Sequence, residues 1–288
     1  MQRLALHNDQ WVDASELSVS IHDAGFTQSA TIVERIRAYN GKLFALSDHL
    51  DRWKHSATSL ALHEFQDLKL IDLKFIEDRL HELLERNRHW VRDQVDFGAL
   101  LVGTAGMDAR PTLVLDLYPI DHNRVAEHIE SGSSLWITDV EQPPAACWPR
   151  SIKVRSRLHY YLADRQAHQQ HDGSLGVLLD QDGTVTETGI ANVLLVEGES
   201  LVSPPLHQIL PGVSLGIVRR LSRQCGIEFI ESRILPSRLL AADEVLLTGT
   251  RCGVWFANSV NERRFTAGKV YRRLRAAFDQ LICGKIEL

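Results

Sequence analysis

LLDQDGTVTETGIANVLLV, residues 178–196, is two apolar runs separated by a polar turn and a short strand. The first run starts at Leu175, the second is Asn192–Val196, and Asp182-Gly183 between them is a turn dipeptide, so a hairpin-like unit is expected. NVLLVEGESLVSP repeats the pattern with a turn near Glu197-Gly198. Glu187 closes GTVTETGIAN, where an acid followed by small residues sits beside a ligand, or else is an exposed strand-end glutamate. Short strands on tight turns, mixed with helices and without regular βαβ alternation, argue against a doubly wound sheet or an eight-fold barrel.

Working upstream, the strand SLWITDV runs into EQPPAACWP, whose prolines stop regular pairing. SIKVRSRLHYYLADRQAHQQ (151–170) follows, with Lys153 just after the proline-rich loop and a helix expected from Ser156. Downstream, a helix is expected near 214–225, then the strand IEFIE, a short helix ending before Ala242, the strands EVLLTGT and GVWFAN, and a final helix near 268–282. The N-terminal half opens on short strands with turns at His7-Asn8-Asp9 and Asn40-Gly41, the second a hairpin signal between IVERIRAY and KLFAL. Ser47 is the expected N-cap of a helix over DHLDRWKHSATSLALH, ending at His63, with Leu50, Trp53, Ala57 and Leu60 at helical spacing. A second helix covers roughly 71–88, and FGALLVG and TLVLDLY read as buried strands. YPIDHNRVAEH loses apolar periodicity and contains a proline, so the expected organisation is a small domain over 1–117, a linker over 118–128 and a larger domain over 129–288.

A chain of 288 residues with 44% hydrophobic and 24% charged residues affords more than one core and holds no low-complexity tract. A net charge of −5 argues against a general nucleic-acid or anionic-membrane surface. Cys147, Cys225, Cys252 and Cys283 form no CxxC pair, which fits reduced thiols in a cytoplasm, and no run reaches the ~20 apolar residues of a membrane span. GxGxxG, GxxxxGK[ST] and HExxH are all missing; His168 and His171 lack a third ligand, so no metal site is expected.

Chemistry concentrates elsewhere. A buried lysine at 153 loses its ammonium form more readily and attacks carbonyls to form a Schiff base, whereas taken alone it reads as a snorkelling surface residue. A carboxylate at Glu187 facing a pyridine nitrogen would keep that nitrogen protonated and make the ring of pyridoxal phosphate an electron sink. Gly212, Val213 and Ser214 begin a helix whose free N–H groups favour a phosphate, with an ordinary serine N-cap as the plainer reading of Ser214. LLTGTRCG brings Thr248, Gly249 and Thr250 to the end of a buried strand, where their hydroxyls and amides complete a cradle.

The order of these pieces resembles the fold-type IV pyridoxal-phosphate enzymes, the family of branched-chain and D-amino-acid aminotransferases and aminodeoxychorismate lyase. The marks are HDAGF (22–26), IVERIRAYNGKLFALSDHLDRW (32–53), the lysine before RLHYYLADRQA, LLDQDGTVTETGIANVLLV, ILPGVSLGIV and AADEVLLTGT, running from about Asn8 to Phe278. The resemblance implies a mixed α/β, two-domain architecture, the smaller N-terminal domain α/β and the larger C-terminal domain β-rich, and a homodimer. It implies that Lys153 carries pyridoxal 5'-phosphate and shuttles the proton between Cα and C4′. Glu187 would pair with the pyridine nitrogen; Arg52, Val213, Ser214 and Thr250 would bind phosphate. Arg52 alternatively pairs with Asp48 on the helix surface. The adjacent amide of Arg251 would hold a substrate carboxylate.

Departures from the family pattern bear on the substrate. Ser29-Ala30-Thr31-Ile32-Val33-Glu34 stands where members commonly read GDG and V[YF]E, so Val33 replaces the aromatic wall of the substrate pocket. Phe97 and Ala105 fall where the two aminotransferase branches carry their substrate-side arginines, leaving Arg35, Arg155 and Arg157 as substitute anchors. KVRSRL is closer to the KxxNRL of the lyase branch than to KxGGNY. The leading expectation is an aminotransferase exchanging an amino group between an amino acid and a 2-oxo acid. The alternatives are an aminodeoxychorismate lyase releasing pyruvate and a non-catalytic homologue.

Overall fold

The computed structural model describes residues 3–62, 69–108 and 110–288. It divides into two compact units, Met1–His122 with Ile152–Ser156, and Asn123–Ser151 with Arg157–Leu288.

The first unit contains β1 (Leu4–His7), β2 (Gln10–Asp13), α1 (Ala24–Thr27), β3 (Thr31–Tyr39), β4 (Lys42–Leu43), α2 (Leu46–Ser59), α3 (Leu73–Arg86), α4 (Arg88–Arg92), β5 (Phe97–Met107) and β6 (Arg110–Pro119). Its strands lie in the order β2-β1-β6-β5-β3-β4. The Asn40-Gly41 hairpin forms as expected: both residues have positive φ, 52° and 75°, and Tyr39 pairs with Lys42. Side chains alternate across a strand, so β3 sends Ile32, Glu34, Ile36 and Ala38 to one face and Val33, Arg35 and Arg37 to the other. The first face, with Phe97, Ala99 and Leu101 of β5 and Leu113, Leu115 and Leu117 of β6, packs a single core with Leu50, Trp53 and Ala57 of α2 and Ile76, Leu80 and Leu83 of α3. Trp53 is fully buried, and its indole lies on the sheet because β5 has Gly103 there; a Cβ would stand 2.9 Å from the ring. Burying one such ring contributes about 2–3 kcal/mol. HDAGF has a structural job: buried Asp23 caps α1 through Gly25 N (2.6 Å) and accepts from Thr112 Oγ1 (2.8 Å).

Several local expectations change. Ser47 is not the N-cap of α2, because Ala45 at φ 52° turns the chain into the helix two residues earlier than a cap at Ser47 would. This early start also limits the expected strand KLFAL to Lys42–Leu43. The end of the expected helix, His63, lies outside the described residues. The stretch 118–128 is not an irregular connection: β6 continues to Pro119 and α5 (His122–Ser131) takes up the rest, burying Val125.

The second unit continues with β7 (Ser133–Glu141), α6 (Leu158–Gln170), β8 (Leu175–Leu179), β9 (Val185–Thr188), β10 (Asn192–Glu197), β11 (Ser200–Ser203), α7 (Val213–Gln224), β12 (Glu228–Glu231), α8 (Pro236–Ala241), β13 (Glu244–Gly249), β14 (Gly253–Val260), β15 (Arg263–Arg264) and α9 (Lys269–Ile282). The sheet order is β12-β11-β10-β13-β14-β7-β8-β9, with β15 on β14 and a further pairing of β9 with β10. That last pairing closes the strands from β10 round to β9 into a barrel, which removes their open edges. It is made by one register pair, Glu187 with Asn192. The turns at Gly183 (φ 75°) and Gly198 (φ 62°) use the left-handed region, as the dipeptides Asp182-Gly183 and Glu197-Gly198 indicate. No helix among the described residues is long and apolar enough to cross a membrane.

Candidate active site

In the second unit the barrel closure sets a polar row. Glu187, Asn192 and Thr248 are successive register partners on β9, β10 and β13, which puts their side chains on one face. The Glu187 carboxylate is buried at 5% exposure. Its Oε1 accepts from the Tyr160 hydroxyl (2.6 Å) and Gln142 Nε2 (3.1 Å), and its Oε2 from Asn192 Nδ2 (2.9 Å) and Leu210 N (3.2 Å). Burial, the Glu187 charge and the hydrogen bond to it all push the Tyr160 phenol well above its ordinary value, so the hydroxyl remains a donor. The Tyr160 ring is held from behind by Arg157, stacked 4.7 Å from its centroid and hydrogen-bonded to Gly189 O.

Asn192 also donates to Leu210 O (2.8 Å), binding the loop that leads into α7. Gly212 is required there by proximity and not by backbone angle: a Cβ would come 2.3 Å from Asn192 Oδ1 while φ is −65°. Gly212 is the N-cap of α7, and with no side chain it makes no side-chain cap hydrogen bond. Ser214 is therefore inside the helix and is not its cap. The contrast with α9 is instructive, since Glu244 occupies its first amides, accepting from Val270 N (2.9 Å) and Tyr271 N (3.0 Å). A helix N-terminus without an acid is an anion site. Thr248 Oγ1, on the same polar row as Asn192, is buried with no hydrogen-bond partner among the described residues, an orphan that a bound acceptor would satisfy. Thr250 is half-buried in the turn after β13 and Arg251 is exposed beside it; Gly249 brings this turn against Ile190 O, where a Cβ would stand at 2.7 Å.

In the first unit Lys153 is pinned along the free edge of β3. Val33 N donates to Lys153 O (3.0 Å), Arg155 N to Thr31 O (3.0 Å), Ile32 bridges Val154, and Lys153 N donates to Ser56 Oγ of α2 (3.1 Å). Ile152 is buried and anchors the segment, and Val33 is buried opposite Lys153. Arg52 is half-buried and its partner is a buried acid. Its Nε and Nη2 grip Oε1 and Oε2 of Glu34 at 2.7 and 2.8 Å, and His49 Nδ1 lies 2.8 Å from Oε2. Burial works to raise the Glu34 pKa, but the Arg52 charge and the hydrogen bonds from Arg52 and His49 outweigh it and hold the carboxyl at about 2. Burial, helped by the nearby Arg52 and Lys153 cations, lowers His49 below its ordinary value despite Glu34. A neutral imidazole beside an ionised carboxylate must carry its proton on Nδ1. The pairing with Glu34 is what the helix-surface reading of Arg52 missed.

Sequence reasoning also missed Gln142, Tyr160 and Asn192. Asn192 stands within the 178–196 stretch, five positions from Glu187 and three beyond Gly189, a spacing across one bend that is the one local signal that it faces back toward the acid. Gln142 and Tyr160 arrive from 45 and 27 positions away and carry no such signal.

The sequence profile of the family described as amino-transferase class IV matches residues 31–260, most of the chain, and the chain belongs to that family. Among its relatives, a putative branched-chain-amino-acid aminotransferase of Methanocaldococcus jannaschii is 28% identical, covering 95% of this chain and 94% of its own length. A D-alanine aminotransferase of Staphylococcus aureus is 27% identical and covers 98% of each. Among solved structures, the Escherichia coli branched-chain amino acid aminotransferase superposes with a TM-score of 0.88 at 20% identity, over 100% of this chain and 97% of its own. A hypothetical aminotransferase from Mycobacterium tuberculosis in its pyridoxal-phosphate-bound form gives 0.83 at 18% identity, over 98% and 99%. The mixed α/β fold is thus the fold-type IV fold, and the chain is a pyridoxal-phosphate-dependent aminotransferase. The second unit's residues fit that cofactor: a buried acid for a ring nitrogen, uncapped helix amides and an orphan hydroxyl for a phosphate.

Proposed function

We propose that the chain exchanges an amino group between an amino acid and a 2-oxo acid, with Lys153 as the covalent attachment point of pyridoxal 5'-phosphate and Glu187 as the partner of its ring nitrogen. When bound, the cofactor supplies an electron sink for the pair left at the substrate Cα. The observation that carries the reading is the buried Glu187 carboxylate held by Tyr160, Gln142, Asn192 and Leu210 N, an acid whose position is fixed from both oxygens. Fixed and buried, it favours a proton on a heterocyclic nitrogen brought against it. The amides of Val213 and Ser214 at the start of α7, with the Thr250 hydroxyl, bind the phosphate dianion, and Arg52 adds a guanidinium oriented by Glu34. Lys153 Nζ takes the proton from Cα and returns it on the other side of the transfer. Val33 lines the substrate, and the Arg251 amide binds its α-carboxylate. The chain works as a homodimer in the cytoplasm on small-molecule substrates.

The relatives matched are named aminotransferases, which favours transfer over pyruvate release. The test is an absorption spectrum of the purified, cofactor-loaded protein before and after L- and D-amino acids, beside Lys153→Ala, with keto-acid formation followed with and without an acceptor. Spectral conversion by a donor, reversal by a 2-oxo acid and loss of both in Lys153→Ala are expected. Pyruvate from aminodeoxychorismate with no amino exchange would replace this reading with the lyase.

A further inference from the structure

The turn that carries Thr250 and Arg251 is held from behind by one buried cation. Gly249 pairs with Gly253 across the β13–β14 hairpin, which leaves Thr250, Arg251 and Cys252 as its loop, and Gly253 closes it in the left-handed region at φ 73°. β7 joins β14 only from Ala257, opposite Ser133, so among the described residues the part of β14 next to the loop has no strand on that edge. Its carbonyls need donors from elsewhere. Arg275 of α9 supplies them: Nη1 donates to Cys252 O at 2.8 Å and to Val254 O at 3.0 Å, while Nη2 bonds Asp279 one turn further along the helix. The guanidinium also lies over the Phe278 ring, 4.8 Å from its centroid, and that ring packs against Gly253, which has no Cβ to displace it.

An arginine is a costly choice at this place. Arg275 stands on the buried face of α9 with Val270, Tyr271, Leu274 and Phe278, and its acid, Asp279, is exposed. Taking a guanidinium out of water is offset only where its donors are used. Here they are spent on one short stretch of backbone, and that stretch adjoins groups proposed to bind ligands. Cys252 directly follows Arg251, and Val254 is the register partner of Thr248, the buried hydroxyl with no hydrogen-bond partner among the described residues. Cys252 is held a second time through its side chain, with Sγ 3.9 Å from Nδ1 of His128, whose ring stacks on Trp255. The loop is thus anchored at its buried end, while Thr250 is half-buried and Arg251 exposed.

We propose that Arg275 is a positioning residue for the substrate α-carboxylate, setting through the carbonyls of Cys252 and Val254 the direction in which the Arg251 amide points. The inference rests on the proposed role of that amide. A main-chain donor has no rotamers with which to re-aim; its direction is that of the peptide plane, so the loop's geometry is the geometry of the bond it offers. A displacement of about 1 Å weakens that bond, and because the amino acid and the 2-oxo acid both carry the carboxylate, both halves of the transfer suffer. The phosphate has other proposed ligands, the amides of Val213 and Ser214 and the Arg52 guanidinium, and Arg275 bonds none of them. Its loss therefore falls first on the carboxylate.

The test compares Arg275→Met, Arg275→Lys and Asp279→Asn with the parent holoenzyme; Asp279 is exposed, so its variant loosens the guanidinium without disturbing the core. Kinetics with an accepted amino acid and 2-oxo acid are read beside calorimetric titration of valerate, a carboxylate without an amino group, and titration of each apoprotein with pyridoxal phosphate. In Arg275→Met, KM for both substrates and the Kd of valerate should rise about tenfold, while kcat and pyridoxal-phosphate affinity stay within about threefold of the parent. Arg275→Lys should recover part of the loss, and Asp279→Asn should raise the valerate Kd about threefold. A valerate Kd unchanged in all three variants, a fall confined to kcat, an equal loss of valerate and pyridoxal-phosphate affinity, or a parent that binds no valerate overturns the assignment. If Arg275→Met does not fold, Arg275→Lys and Asp279→Asn decide by the same criteria. The two readings fail separately. If the parent transfers amino groups but the variants keep its KM values and valerate affinity, Arg275 positions nothing and the transfer stands. If the parent transfers none while valerate binding still depends on Arg275, the positioning stands and the transfer falls.

Discussion

Glu187 and Asn192 are partners twice over: they are the register pair that closes β9 onto β10, and the Asn192 amide donates to the Glu187 carboxylate at 2.9 Å. Folding of the barrel and placement of the acid are one event. Gly212→Ala should disturb both side chains from outside, since its Cβ would come 2.3 Å from Asn192 Oδ1 with no backbone cost at φ −65°. The expected result is cofactor affinity lowered by about tenfold, read by titrating the apoprotein with pyridoxal phosphate. Glu187→Gln should lower kcat on the order of 10²-fold, measured under saturating cofactor.

Lys153→Ala should abolish covalent attachment while leaving the segment in place, because the backbone of 153 and not its side chain bonds Val33 and Ser56. Borohydride reduction followed by intact-mass measurement should add one phosphopyridoxyl group to the parent and none to the variant, with similar thermal unfolding of both.

Glu34→Gln removes the buried charge that the half-buried Arg52 and the buried His49 share. Breaking a buried pair by deleting one partner strands the other charge, and a loss of about 3 kcal/mol in denaturant unfolding is expected. Arg52 also loses its orientation, so affinity for pyridoxal phosphate should fall more than affinity for pyridoxal.

Acid should destabilise the chain in two stages. His49 and His159 have folded pKa values lowered from 6.5, His49 by burial first and His159 to about 4 by burial and then by Arg157 and Arg150. Below 6.5 the unfolded chain takes up protons that the folded chain refuses, so stability falls with pH from there. Glu34, depressed from 4.5 to about 2, adds stability that is full above 4.5 and is lost as pH drops toward 2. Unfolding free energies between pH 7 and 5 should slope downward, and His49→Gln should flatten that slope.

What was legible follows the range of the interaction. The hairpins at Asn40-Gly41 and Asp182-Gly183, the core stripe Leu50, Trp53 and Ala57, and the starts of α7 and α9 could be read because each depends on neighbours a few residues away. The cap at Ser47 failed because a left-handed Ala45 entered the helix first, and the short helix α5 went unread within 118–128 because Val125 is the only residue it buries. The residues proposed for the site stood out as types, an acid among small residues or a lysine after prolines. Their partners did not: Glu34 reaches Arg52 across 18 positions and Gln142 reaches Glu187 across 45.

By itself the chain's order of residues determined its elements, its family and the chemical types available to it, since turn geometry, periodicity and motif order are local properties. Only the folded arrangement decided what each cation meets among the described residues: Arg52 clasped by Glu34, Arg37 by Asp96, Arg35 set on the Tyr118 ring. Charges are paired by strand register and helix packing, and these bring together groups that the linear sequence keeps far apart.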